Sequence, residues 1–226
     1  MKSVLKTSLI ICILALASCG KKWKEPTQVT FRAQLANSGS GPVHFTSGSI
    51  VLDKVTFTGE REQGENHVNI EKPFEPVQLP LENNSSGYGV SLDVPQGTYN
   101  DIDITIETNS QLNGSCILLT GYYINSNNDS ICVQFNFKAS DQYKIKAKPS
   151  GGKSEIVLVS GDPTSCVIMA DPGYWFGALS NSMLDQAHVS WQTGQLPTIF
   201  INNSQNIDLY QAIVNRLSAG TQAIFN

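Results

Sequence analysis

This sequence is poor in the residues that do most enzymatic work. Only 15% of its 226 side chains are charged, and only three are histidine, His44, His67 and His188. Neither a His-x-His nor a Glu-x-x-His pattern occurs, so no metal centre is expected. A Gly-x-Ser-x-Gly elbow is missing, as is a glycine-rich phosphate loop after a strand, and no carboxylate pair can be placed together from spacing alone. No cofactor is implied, and the expectation is a non-catalytic protein. Long apolar runs are scarce too: beyond residue 18 no stretch approaches the roughly 18 consecutive apolar residues of a membrane-spanning helix. What the chain does have is 40% hydrophobic residues, enough for a packed core.

The one apolar run lies at the start. Lys2 and Lys6 precede an apolar stretch over residues 9–16, the form of a secretory signal occupying 1–18. Its removal leaves 208 residues and takes away two lysines, so 13 basic side chains face 19 acidic ones and the formal charge becomes −6. A nucleic-acid partner is not expected at that charge. Leu16-Ala17-Ser18-Cys19 resembles the bacterial lipobox, which implies lipidation of Cys19 and a membrane partner through that lipid. One acyl chain binds a bilayer only marginally, with a constant of about 10⁴ M⁻¹, whereas two or three hold it effectively for good. Gly20, where such lipoproteins retained at the inner membrane carry aspartate, implies the outer membrane. Lys21-Lys22-Trp23-Lys24 differs from the acidic run of surface-exported Bacteroidota lipoproteins, so the periplasmic and outer faces both stay open. Residues 19–27 read as the lipidated cysteine and its tether. The stretch from Gly20 to Thr27 reaches at most about 28 Å, keeping the folded part near the bilayer.

From residue 28 the pattern has period two. Val29, Phe31, Ala33 and Leu35 alternate with polar residues, and similar runs cover 49–58, 77–81, 88–94, 102–106, 116–124, 131–138, 143–148, 155–160 and 165–170. Pro95-Gln96-Gly97-Thr98 has the residues of a tight turn, predicting a hairpin; residues 125–129 read as a five-residue hairpin loop. Near the C-terminus 187–191, 198–201 and 222–225 read as strands. One helix is predicted between them, with Asn206 as N-cap, a stripe of Ile207, Tyr210, Ile213, Val214 and Leu217, and Gly220 as its stop. The expected fold is mainly β, an antiparallel sandwich of Ig-like or transthyretin-like type with one C-terminal helix, spanning 28–226 as one domain or as two subdomains divided near 109–114.

The segment from Gly48-Ser49-Ile50-Val51 through Pro95-Gln96-Gly97-Thr98-Tyr99 and the Ile102, Ile104, Ile106 strand resembles uncharacterised β-sandwich domains of Bacteroidota outer-membrane lipoproteins. Asp171-Pro172-Gly173-Tyr174-Trp175-Phe176 and residues 206–217 look like the closing part of such chains. The better understood sandwich relatives in these bacteria, of fimbrillin or transthyretin-like form, are pilus subunits and adhesins, so the resemblance implies a binding or interaction module with a protein or glycan partner. A small-ligand or glycan carrier is the alternative.

Candidate site residues are few. Tyr174, Trp175, Phe176 and Trp191 form the densest aromatic group, read either as buried packing or as a ligand-binding surface. Asp129-Ser130-Ile131 resembles a Bacteroidota O-glycosylation sequon, with Ser130 as acceptor. Asp101, Asp103 and Glu107 read as a solvated sheet face or a calcium site, and the lysines of 143–148 as protection of a sheet edge. Of five cysteines, Cys12 leaves with the signal and Cys19 takes lipid; Cys116, Cys132 and Cys166 remain, either as free thiols or with Cys166 in a disulfide. Across a regular hairpin Cys116 falls opposite the Lys138 region and not opposite Cys132.

Overall fold

The computed structural model describes residues 25–36, 39–83, 88–112, 114–191 and 193–226, so Cys19 and the tether up to Lys24 lie outside the described residues. In chain order the strands are β1 (Pro26–Leu35), β2 (His44–Arg61), β3 (His67–Leu81), β4 (Val90–Pro95), β5 (Gly97–Thr108), β6 (Ile117–Ile124), β7 (Ser130–Phe137), β8 (Gln142–Pro149), β9 (Ile156–Leu158), β10 (Thr164–Ala170), β11 (Val189–Ser190), β12 (Thr198–Ile201) and β13 (Thr221–Phe225). Among the described residues three short α-helices join them where a single C-terminal one was expected, α1 (Pro172–Phe176), α2 (Asn181–Asp185) and α3 (Ile207–Val214), besides a 3₁₀ turn at Ser150–Gly152. The chain is therefore mainly β, as its alternation predicts. No helix among the described residues is long and apolar enough to cross a membrane.

The strands form one curled sheet in the order β11-β12-β7-β6-β2-β5-β8-β13-β10-β1-β4, with β3 added on β2 and β9 on β5. β8 makes the sheet continuous: its first half pairs antiparallel with β5 and its second half parallel with β13. The pairs β1 with β10 and β7 with β12 are also parallel, so the sheet is mixed where an antiparallel one was expected. These partners lie far apart in sequence. Local hairpin geometry does not bind them, and the intervening elements supply the crossovers that parallel pairing needs.

The core fills the inside of the curl. Val29, Phe31, Ala33 and Leu35 all point inward from β1, as the period predicts. Phe57 of β2 meets Phe225 of β13 edge-on at 6.5 Å, and Phe176 of α1 packs on Phe45 of β2 at 4.5 Å and Phe135 of β7 at 5.5 Å. Residues from both sides of 109–114 belong to this one core cluster.

β2 organises the molecule. One of its edges pairs with β3; the other pairs with β6 along His44–Ile50 and from Leu52 onward with β5, with a register slip between Leu52 and Lys54. Gly121 of β6 lies against the His44 carbonyl and Phe45, where a Cβ would collide with backbone, so glycine is what lets β6 approach. At about 3.3 Å per residue, the 18 residues of β2 separate its two ends by on the order of 50 Å along the strand. Arg61 ends β2 beside the point where the described chain begins: it donates to the Gln96 carbonyl at 2.9 Å, and the Gln96 amide donates to the Glu25 carbonyl at 3.1 Å. His44, at the other end, pairs with Tyr122 of β6, two residues before the β6–β7 loop. The two ends are called proximal and distal below.

Four local expectations need correction. The hairpin predicted at Pro95-Gln96-Gly97-Thr98 does not form, because β4 pairs with β1 while β5 pairs with β2, β8 and β9. Long-range bonds from Gln96 direct the crossing: besides the Glu25 and Arg61 contacts, its side-chain oxygen accepts from the Ser160 amide at 3.1 Å. Asn206 occupies the N-cap position of α3 as predicted, but in a left-handed conformation (φ 50°), and its side chain caps no helix amide. That amide instead bonds the backbone of His188, at 2.8 and 3.1 Å, and the Phe200 carbonyl at 2.8 Å. Gly220 is not the helix stop, since α3 ends at Val214; a Cβ there would strike the Trp175 indole, whose Nε1 donates to the Leu217 carbonyl at 3.1 Å. Finally, β8 is an interior strand and its lysines answer acids on β5, Lys144 bonding Asp103 at 3.0 Å and Lys146 bonding Asp101.

Candidate functional site

The predicted aromatic group is divided by the fold. Asp171 accepts from the Tyr174 amide at 2.9 Å and starts α1, which turns Trp175 and Phe176 into the core at 2% and 0% exposure. Tyr174 stays 44% exposed with the Arg216 guanidinium 4.3 Å from its ring centre. Trp191 lies elsewhere, just after β11, and is 77% exposed. Burial removes Trp175 and Phe176 from any ligand surface, leaving Trp191 as the open platform.

Trp191 meets the β6–β7 loop at the distal end. The loop follows its predicted length, with Ile124 paired to Ser130 and residues 125–129 between them. Asn125 builds its inside: the side-chain oxygen accepts from the amides of Asn127 at 3.0 Å and Asp129 at 2.8 Å, and its NH₂ donates to the Asp129 carboxylate at 3.2 Å. Asn128 takes the left-handed conformation (φ 68°) that asparagine tolerates better than most residues. Asp185, at the end of α2, braces the loop from behind, accepting from the Tyr123 hydroxyl at 2.8 Å and the Ser126 amide at 3.2 Å. Those bonds favour the ionised carboxylate, the Tyr123 hydroxyl most of all, and hold the Asp185 pKa below its ordinary value; burial together with Asp185 pushes Tyr123 up to about 12.

Parallel pairing of β12 with β7 brings the other wall. Thr198 lies opposite Cys132, and Pro197 accepts from the Cys132 amide at 2.9 Å, so the segment around Trp191 and Pro197 runs beside the loop. Between them is an open cleft of about 500 Å³ lined by Asn125, Asn128, Asp129, Ser130, Trp191 and Pro197. The Asn206 bonds to His188 hold the backbone that leads into Trp191. Exposed Tyr122, Ile124 and Leu196 occupy the same end of the sheet. Ser130, singled out as a modification site, thus shares a cleft with Trp191. Asn125, Asn128, Asp129, Asp185 and Pro197 are the residues that sequence reasoning missed as a group; only the loop itself carried a signal.

The other candidates lie apart. Asp101, Asp103 and Glu107 are each met by a lysine, Lys54 bonding Glu107 at 2.6 Å. Among the described residues no group of three or more His, Cys, Asp or Glu side chains is placed to hold a metal ion. His44 stacks on Tyr122, His67 bonds Glu60 at 2.7 Å, and His188 lies near the start of α3. Cys116, Cys132 and Cys166 are free; Cys116 follows the Phe137 carbonyl in register and Cys132 lies opposite Tyr122, as hairpin geometry predicts. Burial pushes the Cys116 and Cys166 thiols up, which disfavours their thiolate forms.

No protein-family model, curated protein or solved structure matches this chain. The functional reading rests on the site itself.

Proposed function

We propose that this chain is a non-catalytic, lipid-anchored module of the Bacteroidota cell envelope that binds a partner with its distal end. Cys19 carries the lipid and holds the protein at the outer membrane, the short tether keeps Glu25 and Gln96 near the bilayer, and β2 carries the binding end away from it. The curled sheet is read as a sandwich-type body of the fimbrillin or transthyretin-like kind, and adhesion or pilus-type assembly is the form of binding that body suits. One observation carries the reading: at the distal end Trp191 is 77% exposed beside the β6–β7 loop, exposed Leu196 follows it in the chain, and exposed Tyr122 and Ile124 lie at the end of β6 that enters the same loop. Apolar side chains grouped on a surface mark an interaction site more often than scattered ones do. The cleft beside Trp191 favours a second reading, a glycan or small-ligand carrier using the same end.

Protease treatment of intact cells producing the protein, with Cys19→Ala as control, tests the first reading. Digestion from outside, lost when Cys19→Ala releases the protein from the membrane, is the expected result for an adhesin. Protection until the outer membrane is opened excludes surface adhesion and favours the carrier. A Cys19→Ala protein that stays on the membrane overturns the lipid anchor altogether.

A further inference from the structure

We infer that the distal cleft is an oligosaccharide-binding site, with the Trp191 indole stacked on the apolar face of a sugar ring and Asn128, Asp129 and Ser130 bonded to its hydroxyls. The inference rests on the reading of this chain as an envelope binding module and names the ligand class of its distal end.

Three observations lead there. An indole that is 77% exposed presents a broad flat apolar surface with a polar N–H at its edge, the surface that suits a ligand which is apolar on one face and wet around its rim. The walls next to it supply amides, a carboxylate and a hydroxyl and no lysine or arginine. Amides and hydroxyls donate and accept at once, as sugar hydroxyls do, whereas a phosphate or other anion needs cations that this cleft does not have. An apolar peptide laid across the cleft would bury the Asn128 amide and the Ser130 hydroxyl without partners and leave the Asp129 carboxylate with the Asn125 amide alone, which is unfavourable; a sugar replaces the water they lose. The third observation is rigidity. Asn125 and Asp185 accept from the loop amides of Asn127, Asp129 and Ser126, which fixes the backbone that carries Asn128 and Ser130, while the Asn128 side chain and the Ser130 hydroxyl make no hydrogen bond with the described residues and stay open to a ligand. Binding then avoids the entropy of ordering a loop.

The test uses the lipidated protein in phospholipid vesicles, titrated with a panel of soluble oligosaccharides of glucose, mannose, galactose, xylose and N-acetylglucosamine while tryptophan emission is followed. The expected result is a saturable change with at least one sugar at up to millimolar concentration, assigned to the exposed indole by its loss in Trp191→Ala. Calorimetry on the same sugar then shows affinity falling at least about tenfold, or ~1.4 kcal/mol, in Trp191→Ala and in Asn128→Gly. Both side chains are exposed, and glycine accepts the left-handed backbone of Asn128, so both variants keep the wild-type urea midpoint, which separates lost binding from lost folding. A flat titration across the panel, or unchanged affinity in Trp191→Ala, overturns the inference. So does a glycan found on Ser130 in the intact mass of the native protein, which would fill the cleft with the chain's own sugar, or a protein cross-linked through position 128 in the absence of any sugar response. Anchoring is scored separately with Cys19→Ala: retention on the membrane defeats the envelope reading whatever the sugars do, and a flat titration with anchoring intact defeats only the sugar site.

Discussion

The two ends of β2 use polar groups in opposite ways. At the proximal end Arg61 is only 4% exposed, and its guanidinium donates to the carbonyls of Glu65 at 2.8 Å and Gln96 at 2.9 Å; Gln96, also buried, ties together Glu25, Ser160 and Arg61. Every one of those bonds joins segments far apart in sequence to one another or closes the β2–β3 turn. At the distal end Asn125 and Asp185 brace a loop from within, and the outward groups beside Trp191 face solvent. Polar atoms turned inward hold a fold together, while those held rigid and turned outward can recognise something. Residue type does not separate the two cases; the direction of the side chain does.

The contrast is broken most strongly at Arg61. Arg61→Ala leaves the buried Gln96 carbonyl without its charged donor and opens the Glu65 contact that closes the β2–β3 turn, and should cost about 3 kcal/mol, read as a lower urea midpoint. An unchanged midpoint would mean that the proximal bonds contribute nothing. Gly220→Ala forces a methyl into the Trp175 indole and should cost about 1–3 kcal/mol, with a shift in near-ultraviolet circular dichroism as the buried indole moves. The Asp185 brace is sensitive to pH. Its pKa is depressed in the fold, so the bracing is complete above the ordinary carboxylate range and is lost as pH falls through the lowered value. Hydrogen exchange at the Ser126 amide should accordingly be slow at neutral pH and speed up only in acid, beyond the intrinsic trend. Asp185→Asn should exchange fast at neutral pH and lose the extra acid dependence; an unchanged neutral rate would show that the loop needs no brace. Trp191→Ala should be the mildest of all in stability, within about 0.5 kcal/mol, because the side chain it removes is solvated. A larger loss would place Trp191 among the structural residues and erase the difference between the ends.

Much of the β architecture was legible because it is local. The inward face of β1, the β6–β7 hairpin with its five-residue loop, and the offset of Cys116 from Cys132 follow from a period of two and a turn length. The misreadings share a cause. Pro95-Gln96-Gly97-Thr98 has turn residues, yet a turn does not say which strands it joins, and Gln96 is directed by residues 35 to 71 positions away in the chain. Gly220 looked like a helix stop because glycine ends helices; it is there because an indole lies on its Cα. Trp175 and Trp191 are the same residue type, and it is the helix beginning at Pro172 that sends Trp175 inward.

By itself, then, the sequence determined where strands and their inner faces fall, since side-chain alternation needs no information beyond neighbouring residues. It also determined the pattern at the N-terminus on which anchoring is proposed, a short linear motif by nature. Tertiary structure alone decided that β8 joins the sheet into one, that Asp185 reaches the β6–β7 loop, and that Trp191, Ser130 and Asn128 share a cleft. Each of these joins residues dozens of positions apart through parallel pairing or a helix crossing, and the energy that selects such pairings comes from burying the whole core rather than from any local run of residues.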